Sequence, residues 1–316
     1  MDGGGEREST KHEVEAEYHW HDFDWEDLRA DVEANPSWSY HLSPFPTTTA
    51  SPPAPSSEAW KSFHRRHASG KFFKERRYLL KEFPELLNSK ECAKVLEVGC
   101  GNGSTVVSIL RCSPSITVYA CDCSEDTLKK ANEIVFNTQG VDAKDRFHPF
   151  LLDVSKEAFP DWLLCNWCQS SDSGHHNIRK EQPILLKENQ CCIHGIDVIT
   201  MIFTLSAIPY DMMSATLRRC VSVLKPGGLV LFRDYGIYDM TMLRFLPHQR
   251  VGFREYIRAD DTFSYYFSLD TVRELFEAAG LLELELEYCC VRSVNRKNGK
   301  HMRRVWVHGK FQKPTS

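Results

Sequence analysis

A chain of 316 residues with 42% hydrophobic content can bury one sizeable core, or one core with a small appendage. Its apolar runs fall short of the roughly 18 uninterrupted residues a membrane helix needs; the longest, 198–213, is broken by Thr200, Thr204, Ser206 and Asp211. The net charge of −4 hides a division, because residues 1–59 hold 13 acids against 3 bases and the remainder 30 acids against 36 bases. A mildly basic body suits a polyanionic ligand, and equally an ordinary solvated surface.

The start of the chain lacks the basic and apolar regions of a signal peptide, and its acids disfavour a transit peptide. Twelve cysteines spread over a long chain suit free thiols in a reducing compartment. A cytoplasmic protein is expected, with the nucleus as the alternative. Residues 1–59 read as an acidic mobile leader ending in the Pro/Ser/Thr linker TTTASPPAPSS (47–57). Its middle, 17–44, is rich in aromatics for a disordered segment, so a flap packed on the body is the competing reading.

From residue 60 the composition turns basic and aromatic, with a helical period toward Pro84. Strands and helices then alternate: KVLEVGC (94–100), a helix from about Ser104, ITVYACD (116–122), a helix from about Ser124, and RFHPFLLDV (146–154). After an insert at about 161–195 come DVITMIFTLSA (197–207), a helix over 211–224 and GLVLFRDYG (228–236). A helix at 269–279 leads into ELELEYCCVRSVN (283–295) and RRVWVHGKF (303–311). This order predicts an α/β fold with a doubly wound, mostly parallel seven-stranded sheet and an antiparallel last strand.

LEVGCGNGS (96–104) places Gly99, Gly101 and Gly103 at alternate positions straight after an apolar strand, where the chain turns sharply and its backbone approaches a ligand. Dinucleotide enzymes use a related GxGxxG loop. Here the spacing is GxGxG and Glu97 precedes it. A carboxylate there would repel a pyrophosphate and welcome a sulfonium and an ammonium, which favours S-adenosylmethionine. Asp122 ends the second strand, placed for ribose hydroxyls; Asp153 and the Val154 amide follow the third, placed for adenine. Ile202 ends the fourth, and LKPGGLVLF (224–232) reads as a Gly-containing turn into the fifth. Taken singly, Asp122 and Asp153 are equally explained as helix caps.

FFKERRYLLKEFPEL (72–86), LFRDYGIYDMTMLRF (231–245) and REYIRADDTFSYYFSLDTVRELFEAAG (254–280) are more particular than cofactor motifs. With them the body, most of 60–312, resembles the eukaryotic tRNA N(3)-methylcytidine methyltransferases, which implies the Rossmann-like class I methyltransferase fold. The resemblance implies a methyltransferase domain over 60–316 with a basic RNA-binding segment at 60–90. It implies formation of 3-methylcytidine at position 32 of the anticodon loop of certain tRNAs, some relatives using an aminoacyl-tRNA synthetase or other adaptor. Trp60 and His64 then belong to a cofactor lid, although the family usually has Tyr at the His64 position. Two further departures are Asp261 and Phe263, where the family pattern has Gly and Arg.

Cytosine N3 carries a lone pair and no proton, so its methylation needs alignment rather than a base. Asp234 and Tyr235, at the tip of the fifth strand, are the candidates for lining the base pocket; a cap and a core residue are their plain alternatives. Basic residues among aromatics suit an unpaired loop: Lys71, Lys74, Arg76 and Arg77 in one stretch, Arg244 and Arg258 in a second, Arg292, Arg303 and Arg304 in a third. In the insert, Cys165, Cys168, Cys191, Cys192 and His194, with His175 and His176 between, fit either zinc or a polar loop with incidental thiols. The implied chemistry needs no metal, and no ligand set is assigned. A methyltransferase of a small molecule or protein, and a non-catalytic RNA-binding relative, remain the rival readings.

Overall fold

A computed structural model describes residues 20–45, 57–66, 75–87, 92–169, 191–294, 299 and 301–315. The chain enters through α1 (Trp25–Glu33), capped by Asp24, whose carboxylate accepts from the Glu26 and Asp27 amides, and then the short α2 (Ser39–Leu42). Two more helices, α3 (Ser57–Arg66) and α4 (Leu79–Glu82), precede the sheet. Then follow β1 (Lys94–Val98), α5 (Ser104–Cys112), β2 (Thr117–Asp122), α6 (Glu125–Asn137), β3 (Phe147–Leu151) and the short α7 (Asn166–Gln169). After these come β4 (Ile196–Ile202), α8 (Tyr210–Val223) and β5 (Leu224–Tyr235). The chain closes with β6 (Arg250–Gly252), β7 (Glu255–Ile257), β8 (Phe263–Tyr265), α9 (Leu269–Glu277), β9 (Leu282–Val294) and β10 (His301–Gln312).

Seven strands form one sheet in the order β3-β2-β1-β4-β5-β10-β9; β3 through β5 run parallel, and β10 lies antiparallel between β5 and β9. This is the expected Rossmann-like class I architecture. Alternating side chains feed two cores, one on each face. Val95, Val118 and Ala120 pack toward α5 and α6, while Leu96, Tyr119 and Phe232 pack toward α8 and α9. Helices on both faces explain why the parallel strands are apolar on both sides.

Three features differ from the sequence-based expectations. The segment KPGG is a bulge inside β5 rather than a turn before it: the register slips between Ile196↔Leu224 and Val198↔Leu229. A small antiparallel sheet, β6-β7-β8, fills 250–265, a stretch without clean alternation in the sequence. Residues 20–45 of the expected mobile leader are folded onto the body, as the competing flap reading has it: Leu28 and Val32 are buried against Ile237, Tyr238, Met242 and Val305. Its start also pairs with the edge strand, Asp22 N donating to Cys290 O at 2.8 Å and Cys290 N to Trp20 O at 2.9 Å, which covers part of an otherwise open sheet edge.

The segment before β1 is anchored by a buried ionic group. Arg233 of β5 pairs with Glu82 of α4, and the other Glu82 oxygen lies 3.1 Å from His308 Nδ1 of β10. The guanidinium also sits over the rings of Trp306 (4.4 Å) and Tyr78 (4.9 Å).

Candidate functional site

The carboxyl ends of the parallel strands converge on one cavity of about 840 Å³, where an open α/β sheet offers its ligand crevice. Its walls include Gly99 and Gly101 after β1, Asp122 at the tip of β2, Asp153 and Val154 after β3, Ile202 at the end of β4 and Tyr235 at the end of β5. Trp60 and His64 of α3 close it from the amino-terminal side. All eight expected cofactor residues therefore share one space.

The glycine loop is shaped by its neighbours. Gly99 has φ +70°, and a Cβ there would lie 2.5 Å from Thr204 Cγ2, so any side chain would collide. Gly101 has φ +54°, and a Cβ there would meet nothing within 4 Å. Its amide donates to Asp122 Oδ2 at 3.0 Å, while Asp122 Oδ1 accepts from Ser124 N at 3.0 Å. Each carboxylate oxygen keeps a further acceptor site for a ligand hydroxyl. Burial raises the Asp122 pKa, opposed by His64 and by the two amide bonds.

Asp153 is held by Ser155 and by Lys156 at 3.1 Å; these bonds outweigh its burial and lower its pKa. Trp60 Nε1 is a buried donor without a hydrogen-bond partner among the described residues, and its ring lines the cavity. An orphaned indole N–H, an open face over Gly101 and a ribose-ready carboxylate fit S-adenosylmethionine.

Glu97 plays a different part from the expected one. It is 1% exposed, does not line the cavity, and burial pushes its carboxyl up to about 8 against the opposing Arg76 charge. One of its oxygens, Oε2, has no hydrogen-bond partner among the described residues.

Asp234 is likewise corrected as a pocket-lining candidate. It is fully buried, away from the cavity wall, and accepts from Ser206 N at 2.9 Å and Tyr235 N at 2.8 Å. Burial pushes its carboxyl up to about 6. Its geometry fixes the loop after β4 against the tip of β5, which is a positioning role. Tyr235 does line the cavity, with Phe203 5.0 Å and Tyr266 5.6 Å away between ring centroids. Arg258 lies on the same wall, 5.9 Å from the Tyr235 ring and 6.0 Å from Trp60, its guanidinium donating to Ser264 Oγ at 3.0 Å.

The basic residues divide. Arg76 is committed to the cofactor loop, its amide donating to Ser104 O at 3.1 Å and its guanidinium to Thr105 Oγ1 at 3.2 Å, so it is not a free phosphate contact. Arg77 is exposed beside Glu75 (3.3 Å), and Arg244 is exposed away from the cavity. Lys71 and Lys74 lie outside the described residues. In the third stretch Arg303 pairs with Asp31 (2.7 Å) and Arg304 with buried Asp239 (2.8 Å). Phe263, where the resemblance expects Arg, is buried in the main core, and Asp261, where it expects Gly, sits at φ +67°.

Phe203 escapes sequence reasoning. Its φ of +56° turns it toward the cavity beneath Arg76, and no residue pattern announces a left-handed phenylalanine.

A family described as Methyltransferase domain matches residues 65–285. The chain is 34% identical to the tRNA N(3)-cytidine methyltransferase METTL6 of Homo sapiens over 81% of this chain and 79% of that protein. It is 35% identical to the tRNA N(3)-methylcytidine methyltransferase Mettl2 of Drosophila melanogaster, over 81% of this chain and 70% of that one. It is also 35% identical to O-methyltransferase 3 of Dictyostelium discoideum, over 74% of this chain but 47% of that protein.

Proposed function

Because the chain belongs to the tRNA N(3)-methylcytidine methyltransferase family, we propose that it methylates N3 of an unpaired cytidine in tRNA, the target being position 32 of the anticodon loop. The observation that carries this reading is the junction of two halves in one cavity: the glycine loop with Asp122, and an aromatic wall of Trp60, Phe203 and Tyr235 beside Arg258.

When bound, S-adenosylmethionine supplies a methyl group on sulfur; N3 takes it with its lone pair as the sulfur–methyl bond breaks, leaving S-adenosylhomocysteine and a cationic base. Nothing on the protein has to remove a proton. The residues instead hold two partners in line and keep water out. Asp122 and the glycine loop fix one side. The Tyr235 and Phe203 rings offer faces on which a splayed base can stack and which favour its developing charge. N3 lies on the pairing edge, so the base must leave any duplex to reach this wall.

The likeness to O-methyltransferase 3 favours a second reading, an oxygen acceptor, which would need a base for the hydroxyl proton. Incubating the full chain with labelled cofactor and either tRNA or phenolic acceptors, followed by nucleoside mass spectrometry, decides between them. Formation of 3-methylcytidine that disappears when C32 is replaced by uridine supports the proposal. Label confined to a small-molecule acceptor overturns it. Selection among tRNAs by a synthetase or other adaptor, and reaction in the cytoplasm, belong to the same proposal; affinity purification from whole-cell extract tests the first, and the division of the protein between cytoplasmic and nuclear fractions tests the second.

A further inference from the structure

Away from the cavity, four sulfurs meet at the root of the insert. Cys165 and Cys168 come from the segment ending in α7, and Cys191 and Cys192 from the segment entering β4. The four Sγ atoms all lie within 4.8 Å of one another. The individual separations are 3.6 Å for Cys165–Cys191, 3.3 Å for Cys168–Cys191, 3.5 Å for Cys168–Cys192 and 3.9 Å for Cys191–Cys192. A tetrahedral Zn–S₄ centre with arms of about 2.3 Å has edges of about 3.8 Å. A disulfide needs about 2.05 Å and would join the sulfurs in pairs rather than gather four.

We propose that Cys165, Cys168, Cys191 and Cys192 hold a structural zinc ion that clamps the two ends of the insert together, separate from the methyl-transfer site.

Backbone geometry supports the assignment. Cys168 N donates to Cys165 O at 3.1 Å, folding Cys-x-x-Cys into a turn that aims both sulfurs the same way. His194 N donates to Cys192 Sγ at 3.3 Å, the kind of bond that favours a thiolate. His194 Nδ1 lies 3.5 Å from Cys168 Sγ, placed to donate to a metal-bound sulfur from the outer shell. The two segments are already zipped beside the cluster, with Ile193 N donating to Trp162 O at 2.8 Å and Gly195 N to Leu163 O at 2.7 Å. His194 and Gly195 make the required sharp turn with φ of +63° and +80°. None of the four cysteines lines the cofactor cavity, and the cluster precedes β4, whose opposite end faces that cavity. A closed set of four protein ligands leaves no open position, which marks a structural rather than a catalytic ion.

The test uses the full wild-type chain, purified under reducing conditions. Elemental analysis is expected to find one zinc per chain. Replacement by cobalt is expected to give a thiolate-to-metal charge-transfer band and the intense visible bands of a tetrahedral ion. Cys165→Ser with Cys168→Ser should lower metal content by about tenfold or more while S-adenosylmethionine affinity is kept. His194→Ala, which leaves all four sulfurs, should weaken zinc binding by about tenfold. Absence of stoichiometric zinc together with a featureless cobalt titration of the reduced wild-type chain would overturn the proposal, whatever the variants do. So would octahedral, oxygen-type cobalt bands, or metal content unchanged in the double variant.

Discussion

The Gly101 amide donates to Asp122 Oδ2 across 3.0 Å, so the residue placed to hold the ribose also fixes the loop beneath the rest of the cofactor. Asp122→Ala removes both functions and leaves the Gly101 and Ser124 amides short of an acceptor. One charge-assisted bond of about 1.5–3 kcal/mol lost to a ribose hydroxyl is about tenfold to a hundredfold in cofactor affinity, and loss of both is expected to exceed a hundredfold. Gly101→Val combines a strained φ of +54° with a side chain directed into ligand space. Calorimetry with S-adenosylhomocysteine measures both; wild-type affinity in the two variants would remove the site from this loop.

Glu97 makes stability depend on pH. Burial holds its carboxyl at about 8 rather than 4.5, so between those values the folded chain binds one more proton than the unfolded chain. Stability must then fall as pH rises through that window, by up to about 1.4 kcal/mol per pH unit for one group. Asp234, raised to about 6 from 3.8, adds the same sign at the acid end. Glu97→Gln keeps the shape and removes the titration. Urea midpoints followed from about pH 5 to pH 8 should therefore slope less in Glu97→Gln than in the wild type. Parallel slopes would mean that Glu97 is ionised when folded.

The leader segment supports the wall behind Tyr235. Trp25 stacks on Tyr288 at 4.5 Å and lies 5.8 Å from Tyr238, while Leu28 and Val32 are 1% and 0% exposed. Leu28→Ala is expected to cost about 2–5 kcal/mol. Deleting residues 1–45 should lower Tm further and reduce methyl transfer more than cofactor binding, because Ile237 and Tyr238 directly follow the tip of β5. An unchanged Tm after the deletion would make this packing dispensable.

The sheet is readable because parallel strands buried on both faces must be apolar, and the first three lead into Gly99, Asp122 and Asp153, the glycine and carboxylates a cofactor needs. Asp122, Asp153 and Ile202 could be placed from position alone, since a strand tip has one location in this fold. Asp234 could not. An acid at a strand tip looks the same in sequence whether it faces the cavity or turns back to the Ser206 amide 2.9 Å away. Glu97 misled for the same reason. The leader leaves tail and flap both open in sequence, because Leu28 and Val32 are two apolar residues among many acids, and only the partner surface of Tyr238, Met242 and Val305 makes them a core. Arg76 and Arg77 are neighbours in sequence with opposite fates, which depend on Ser104 and Thr105 nearly thirty residues away.

That division of Arg76 from Arg77 makes the tRNA reading testable in detail. Arg77 is exposed, its side chain 64% accessible, and its Glu75 partner is a surface pair of small worth. Arg77→Glu should weaken tRNA binding for all sequences alike and flatten the dependence of log affinity on log salt by about one unit for each phosphate it no longer neutralises. Arg76→Glu should instead damage cofactor binding first, because it tears a guanidinium from Thr105 and brings an acid toward Glu97. Arg258→Ala removes a group from the cavity wall itself, and should lower kcat with tRNA more than it lowers tRNA affinity. Filter binding across a salt series, run beside calorimetry with S-adenosylhomocysteine, separates the three. If Arg77→Glu leaves affinity and salt slope at wild-type values, the basic segment is a solvated face, and a polyanionic substrate must be gripped elsewhere on the body.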